Sequence, residues 1–202
     1  YPGTCGSPYH HYIVADDWII PPSHELYYSE QVLRLPCYQP NDRKRVTAAE
    51  RPTRAEAGLP EDATVFCCFN GSHKIMPEVF CLWMEVLAKA EGSVLWLLEE
   101  HPLAAANLRR EAQAAGIDPK RLVFAKRMPL ADHLARMKLA NLFLDTLPYS
   151  AHTTASDALW AGVPVLTRMG ETFAGRVAAS LLNAIGLPEL IAWTPEDYTA
   201  RA

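Results

Sequence analysis

From residue 64 onward, short apolar runs alternate with longer amphipathic ones, and few folds accommodate that rhythm. The runs at 64–69, 93–98, 121–125, 141–145 and 163–167 are rich in Val, Leu, Phe or Cys and lack polar alternation. Such runs read as strands buried on both faces, the mark of a parallel sheet. Between them, 77–90, 102–115, 130–140 and 153–161 carry apolar residues at three- and four-residue spacing, which suits covering helices. Strand and helix in strict alternation predict βαβ units and a doubly wound, Rossmann-like α/β sheet.

The first sixty residues lack this rhythm. Residues 12–15 read as a strand, 19–22 as a turn and 29–35 as one or two helical turns, but Pro36, Pro40 and the charged stretch 42–54 interrupt any continuation. The segment reads as the end of a preceding unit followed by a linker. No repeat of twenty to fifty residues is evident. The chain is 50% hydrophobic and 21% charged, enough to bury a core and unlike a disordered chain. Its net charge of −4 supplies no broad basic surface for nucleic acid or anionic membrane, so any bound anion must be held locally. The five cysteines lack zinc-ligand spacing and read as reduced thiols of a cytoplasmic protein. No run approaches the ~18 to 20 apolar residues of a membrane span. The start at Tyr1 and the end at Ala202 both read as cuts.

Three constellations carry candidate chemistry. In the stretch from Leu144 to Trp160, a buried strand ends at Asp145, a proline-containing loop follows, and Thr153 or Thr154 is placed to cap a helix. The free N–H groups and positive dipole end of that helix then face the carboxyl edge of the sheet, where open α/β sheets bind nucleotides. Asp157 follows Thr153 by four residues and Thr154 by three, so all three share a helical face. Phosphate on the threonines and a ribose hydroxyl on the carboxylate fit that spacing, and so does an ordinary threonine cap with an acidic first turn. Second, Lys74 follows the first buried strand through Asn70-Gly71-Ser72-His73, within reach of a diphosphate at that edge or simply solvated. Third, His133 and Arg136 lie three apart on one helical face, suited to stacking on a base and bonding its carbonyls or a phosphate. The pair Asp16-Asp17 lacks an Asp-x-Asp context for a metal-bridged diphosphate. Neither a dinucleotide glycine fingerprint, a P-loop nor a serine-hydrolase elbow is present.

Taken in order, Tyr1-Pro2-Gly3-Thr4-Cys5-Gly6, Phe69-Asn70 with Lys74, Ser93 to Leu98, Leu144-Asp145-Thr146, His152-Thr153-Thr154 with Asp157, Leu159-Trp160-Ala161-Gly162, and Gly170-Glu171-Thr172 with Arg176 to Ser180 form a series. This series closely resembles the catalytic region of the O-GlcNAc transferases and their SPINDLY-type relatives. The resemblance implies the C-terminal lobe of a GT-B glycosyltransferase. Residues 1–40 are then the end of the N-terminal catalytic lobe and 41–202 the nucleotide-sugar-binding lobe, truncated at its C-terminus. It also implies that Lys74, His152, Thr153 and Thr154 meet the donor diphosphate and sugar, Asp157 the ribose, His133 the uracil, Arg136 the nucleotide and Pro2 the sugar. Leu130 and Gly71 stand where the animal enzymes have a lysine and a glutamine.

The implied reaction is inverting, metal-independent transfer of GlcNAc from UDP-GlcNAc to protein Ser or Thr hydroxyls, with Lys74 the catalytic residue and no cofactor. Implied partners are the nucleotide sugar, acceptor proteins, an upstream N-terminal lobe and tetratricopeptide repeats, with the acceptor base outside this chain. Two alternatives stay open: a SPINDLY-like O-fucosyltransferase using GDP-fucose, and a non-catalytic nucleotide-sugar-binding module. This chain alone is expected to be inactive.

Overall fold

A computed structural model describes residues 2–202; Tyr1, where the resembling series begins, lies outside the described residues. Six strands form one all-parallel sheet: β3 (Val65–Cys68), β4 (Val94–Leu98), β5 (Leu122–Ala125), β6 (Leu142–Leu144), β7 (Val165–Arg168) and β8 (Ile191–Ala192). Their spatial order is β5-β4-β3-β6-β7-β8. All four residues of β3 are buried, as the unbroken apolar run predicts for a strand covered on both faces. The covering helices are α1 (Pro77–Lys89), α2 (Pro102–Ala114), α3 (Leu130–Met137), α4 (Thr153–Trp160), α5 (Phe173–Ala184) and α6 (Pro195–Arg201). The first four match the predicted helical runs. Helix α5, whose Val177, Ala178, Leu181 and Leu182 are buried, has no counterpart among those runs. Thr194 caps α6 by accepting from Asp197 N–H at 3.1 Å, as its Thr-Pro-Glu-Asp opening predicts.

The strand order fixes where a ligand belongs. After β3 the chain winds outward through β4 to β5, then crosses back to lay β6 on the other side of β3. The crevice beyond the carboxyl ends of β3 and β6 is therefore the topological switch point, where open α/β sheets bind ligands. Both the Asn70–Lys74 turn and the 145–152 loop leave the sheet there.

The first forty residues form a separate two-stranded parallel sheet, β1 (Tyr12–Ala15) with β2 (Gln31–Arg34). The expectation of helical turns at 29–35 is corrected: Gln31-Val32-Leu33-Arg34 alternates exposed with half-buried residues, the period of a strand. Pro36 disfavours a helical conformation in the residue before it and removes the continuation a helix needs. A 3₁₀ turn over Pro22–Tyr27 follows the bend at 17–20. Ile19 and Ile20 pack on Phe173 and Val177 of α5 in a second small core. Asp16, buried beside it, accepts from the N–H groups of Trp18, Ile19 and Tyr38 and from Ser180 Oγ, which accounts for it structurally.

Candidate functional site

The first wall of the crevice grows from the end of β3. Phe69 and Asn70 are buried, and the chain then makes one 3₁₀ turn over Ser72–Lys74. Glu100, just past β4, pins that turn by accepting from Ser72 N–H at 2.6 Å and Ser72 Oγ at 3.0 Å, while Arg127 pairs with its other oxygen. The turn aims Lys74 across the crevice. Its Nζ donates to Ser150 O at 3.0 Å and sits 4.0 Å from the centre of the Tyr149 ring. Burial lowers the lysine pKa, against the pull of the nearby Asp145 carboxylate.

The second wall is the loop after β6, organised by Asp145. This buried carboxylate accepts from Thr146 N–H and Ala151 N–H, both at 2.7 Å, and from Thr167 Oγ1 at 2.6 Å. Burial pushes it up to about 6, and those three bonds restrain the shift. Asn70 ties the walls together: its Nδ2 donates to Thr146 Oγ1 at 2.8 Å, and its Oδ1 accepts from Thr154 Oγ1. Behind the loop, Ala174 O accepts from Ser150 N–H, Ser150 Oγ and His152 Nε2. Such close packing requires glycine at 170 and 175, since a Cβ on Gly170 would lie 2.6 Å from Gly175 O and one on Gly175 2.8 Å from Pro148 O.

The structure revises how α4 begins. Its cap is His152 rather than a threonine, no side chain caps its first turn, and Thr153 and Thr154 are its first two residues. Thr154 spends its hydroxyl on Asn70, which leaves the backbone N–H groups of the first turn and the hydroxyl of the exposed Thr153 at the start of α4. Because a carbonyl can only accept, the His152 Nε2 facing Ala174 O carries the hydrogen and Nδ1 is left as an acceptor. The ring stacks on Tyr149 at 4.8 Å, and burial lowers its pKa, with Lys74 adding to the effect.

His133 and Arg136, on α3, do not play parallel parts. Arg136 is 4% exposed; its Nε donates to His133 Nδ1 at 3.0 Å and its Nη1 to Lys126 O at 2.7 Å, over the Phe69 ring. It holds the imidazole from beneath. His133 packs edge-on against Phe69 at 4.8 Å and is pushed down to about 4, by burial first and by Arg136 second. It is therefore neutral at pH 7, with Nε2–H free as a donor. A cavity of about 240 Å³ opens beside Arg136, lined also by Trp96, Phe124 and Met128.

Asp157 is engaged as well. Arg45, from the linker, donates to its Oδ1 at 2.5 Å, and the two side chains are 7% and 9% exposed. Pro2 is half-buried in the N-terminal segment, and no hydrogen bond among the described residues links it to the others. Among the described residues, no group of three or more His, Cys, Asp or Glu is arranged to hold a metal, and no helix is long and apolar enough to cross a membrane.

Comparison with known proteins identifies the family and the fold. The profile of glycosyl transferase family 41 matches residues 40–202. The chain belongs to that family. It is 37% identical over its full length to the probable UDP-N-acetylglucosamine–peptide N-acetylglucosaminyltransferase SEC of Arabidopsis thaliana, spanning 21% of that protein. It is 40% identical over 74% of its length to the Caenorhabditis elegans UDP-N-acetylglucosamine–peptide N-acetylglucosaminyltransferase, spanning 13% of it. Among solved structures, a mutant O-GlcNAc transferase of Thermobaculum terrenum superposes with a TM-score of 0.81 at 34% identity, over 94% of this chain and 36% of that one. The family 41 lobe is thus a Rossmann-like lobe of a GT-B glycosyltransferase, and the chain spans only 21% and 13% of the lengths of those two relatives.

Proposed function

We propose that this family 41 lobe binds the donor of a protein O-GlcNAc transferase, which moves GlcNAc from UDP-GlcNAc to Ser or Thr hydroxyls with inversion and without a metal. One observation carries the reading: a half-buried ammonium, Lys74, and the uncapped N-terminus of α4 meet at the switch point between β3 and β6. That arrangement suits a diphosphate whose bond to the sugar is breaking. Charge growing on the leaving β-phosphate meets Lys74 and the α4 N–H groups, which stabilise the transition state more than the ground state. In this reading His152, Thr153 and Thr154 line the diphosphate and sugar, Asp157 takes the ribose and His133 the uracil. Arg136 sets the His133 ring at the edge of the base site. Pro2 approaches the sugar, and residues 1–40 close an upstream N-terminal lobe that supplies the acceptor base, with tetratricopeptide repeats before it, in the cytoplasm.

The relatives' names support the donor, since the two relatives given above are named a probable UDP-N-acetylglucosamine–peptide N-acetylglucosaminyltransferase and a UDP-N-acetylglucosamine–peptide N-acetylglucosaminyltransferase. Calorimetric competition of UDP against GDP on the full-length protein, with donor profiling on a Ser/Thr peptide, tests it. UDP should bind more tightly and UDP-GlcNAc should turn over. Tighter GDP binding would point to GDP-fucose instead, and UDP binding with no transfer from any donor would leave a binding module.

A further inference from the structure

The linker that the sequence shows only as a charged stretch lies across the two helices that carry the nucleoside contacts. Ala48 N–H donates to Ala131 O in the first turn of α3 at 3.0 Å, and Ser156 Oγ of α4 donates to Asn41 Oδ1. Between these two anchors, Arg45 reaches Asp157. Exposed ion pairs contribute little, but a desolvated one persists only when its geometry is close, and removing one partner strands the other. Arg45 engages only one carboxylate oxygen: among the described residues nothing donates to Asp157 Oδ2. Among those residues Trp96 Nε1 is the one fully buried side-chain polar atom without a partner, so Oδ2, which also lacks one, is not fully sequestered although the Asp157 side chain is only 9% exposed. Burial raises the Asp157 pKa and Arg45 opposes the rise, keeping the oxygen a strong acceptor.

We infer that Arg45 is a positioning residue for donor binding: it holds Asp157 by Oδ1 so that Oδ2 is presented to the ribose hydroxyls of the nucleotide. The inference rests on the ribose role proposed for Asp157. Arg45 then acts on one part of the ligand only, which separates it from a residue that merely packs the linker.

The test compares UDP with 2′,3′-dideoxy-UDP by calorimetry on the full-length protein. The parent should prefer UDP on the order of 10- to 100-fold, the range for a hydrogen bond to a charged group. Arg45→Gln should weaken UDP about 10-fold and leave the dideoxy ligand within about 2-fold, collapsing the preference, and Arg45→Lys should restore part of it. Equal weakening of both ligands, or of neither, in a variant whose circular dichroism matches the parent overturns the inference. If Arg45→Gln does not fold, Arg45→Lys decides it: a preference reduced but still present supports the positioning role, and an unchanged one overturns it. Asp157→Asn separates the two layers. If it keeps the parent's preference, the ribose role of Asp157 falls and Arg45 with it; if it alone abolishes the preference, only Arg45 falls.

Discussion

Lys74 and His133 show how burial sets chemistry at single residues. Lys74 is anchored through one N–H to Ser150 O, and its approach to the Tyr149 face holds it at the crevice rather than in solvent. If it meets charge on the leaving group, Lys74→Ala should lower kcat on the order of 10²-fold or more while changing KM far less, measured by steady-state transfer from UDP-GlcNAc. A loss confined to KM would make it a ground-state ligand only. His133 offers a pH signature. Its folded pKa of about 4 lies below the usual 6.5, so between those values the unfolded chain binds more protons. Stability from this residue is therefore present above pH 6.5 and lost as pH falls toward 4. Asp145, raised from 3.8 to about 6, contributes with the opposite sign in nearly the same window. The informative quantity is the difference between variants: His133→Gln should flatten the acid-side fall in denaturation midpoint relative to the parent, and parallel curves would contradict the assignment.

At the scale of elements, the site depends on two loops from neighbouring strands being locked together, and Asn70 is the lock. It is 2% exposed and bonds Thr146 Oγ1 and Thr154 Oγ1, joining the end of β3 to the β6 loop and the first turn of α4. Asn70→Ala removes a partner from the buried Thr146 hydroxyl and from the half-buried Thr154 hydroxyl and should destabilise by about 1–3 kcal/mol in urea titration, with a raised KM for the donor. Asn70→Asp should be worse, because it sets a second carboxyl beside Asp145. These elements were largely legible beforehand. Buried runs and amphipathic spacing located β3 to β7 and α1 to α4, since burial on both faces leaves an unbroken apolar signature. The missed pieces have physical reasons. The strand Gln31–Arg34 is half exposed and only four residues long, too short for its period to stand out. The cap of α4 looked like a threonine, but Asn70, far away in sequence, claims the Thr154 hydroxyl and His152 takes the cap position.

For the whole molecule, the strand and helix pattern pointed to the switch-point crevice but not to the contacts that cross the chain. Lys74 and Asp157 stood out as candidates because one follows a buried strand through a short turn and the other shares a helix face with Thr153 and Thr154, whereas His152 entered only through the family resemblance. Arg45 did not stand out, because nothing in local spacing ties it to Asp157 across 112 residues. Arg136 was readable as a position and not as a role, because its guanidinium turned inward to His133 and the Lys126 carbonyl. The same topology makes the last prediction. If the crevice takes a diphosphate, the groups that would hold it sit on two separate loops, the turn that carries Lys74 and the loop that leads into α4. A ligand that bridges both loops should stabilise the folded state by mass action, about 2.7 kcal/mol at 100 times its Kd. For a lobe of this size that corresponds to a rise in Tm of roughly 5–10 °C. UDP should produce that shift in a thermal melt. Uridine and inorganic phosphate, each engaging only part of the crevice, should together produce much less at equal concentration. If uridine alone matched UDP, Lys74 and the α4 N-terminus would not be the diphosphate site.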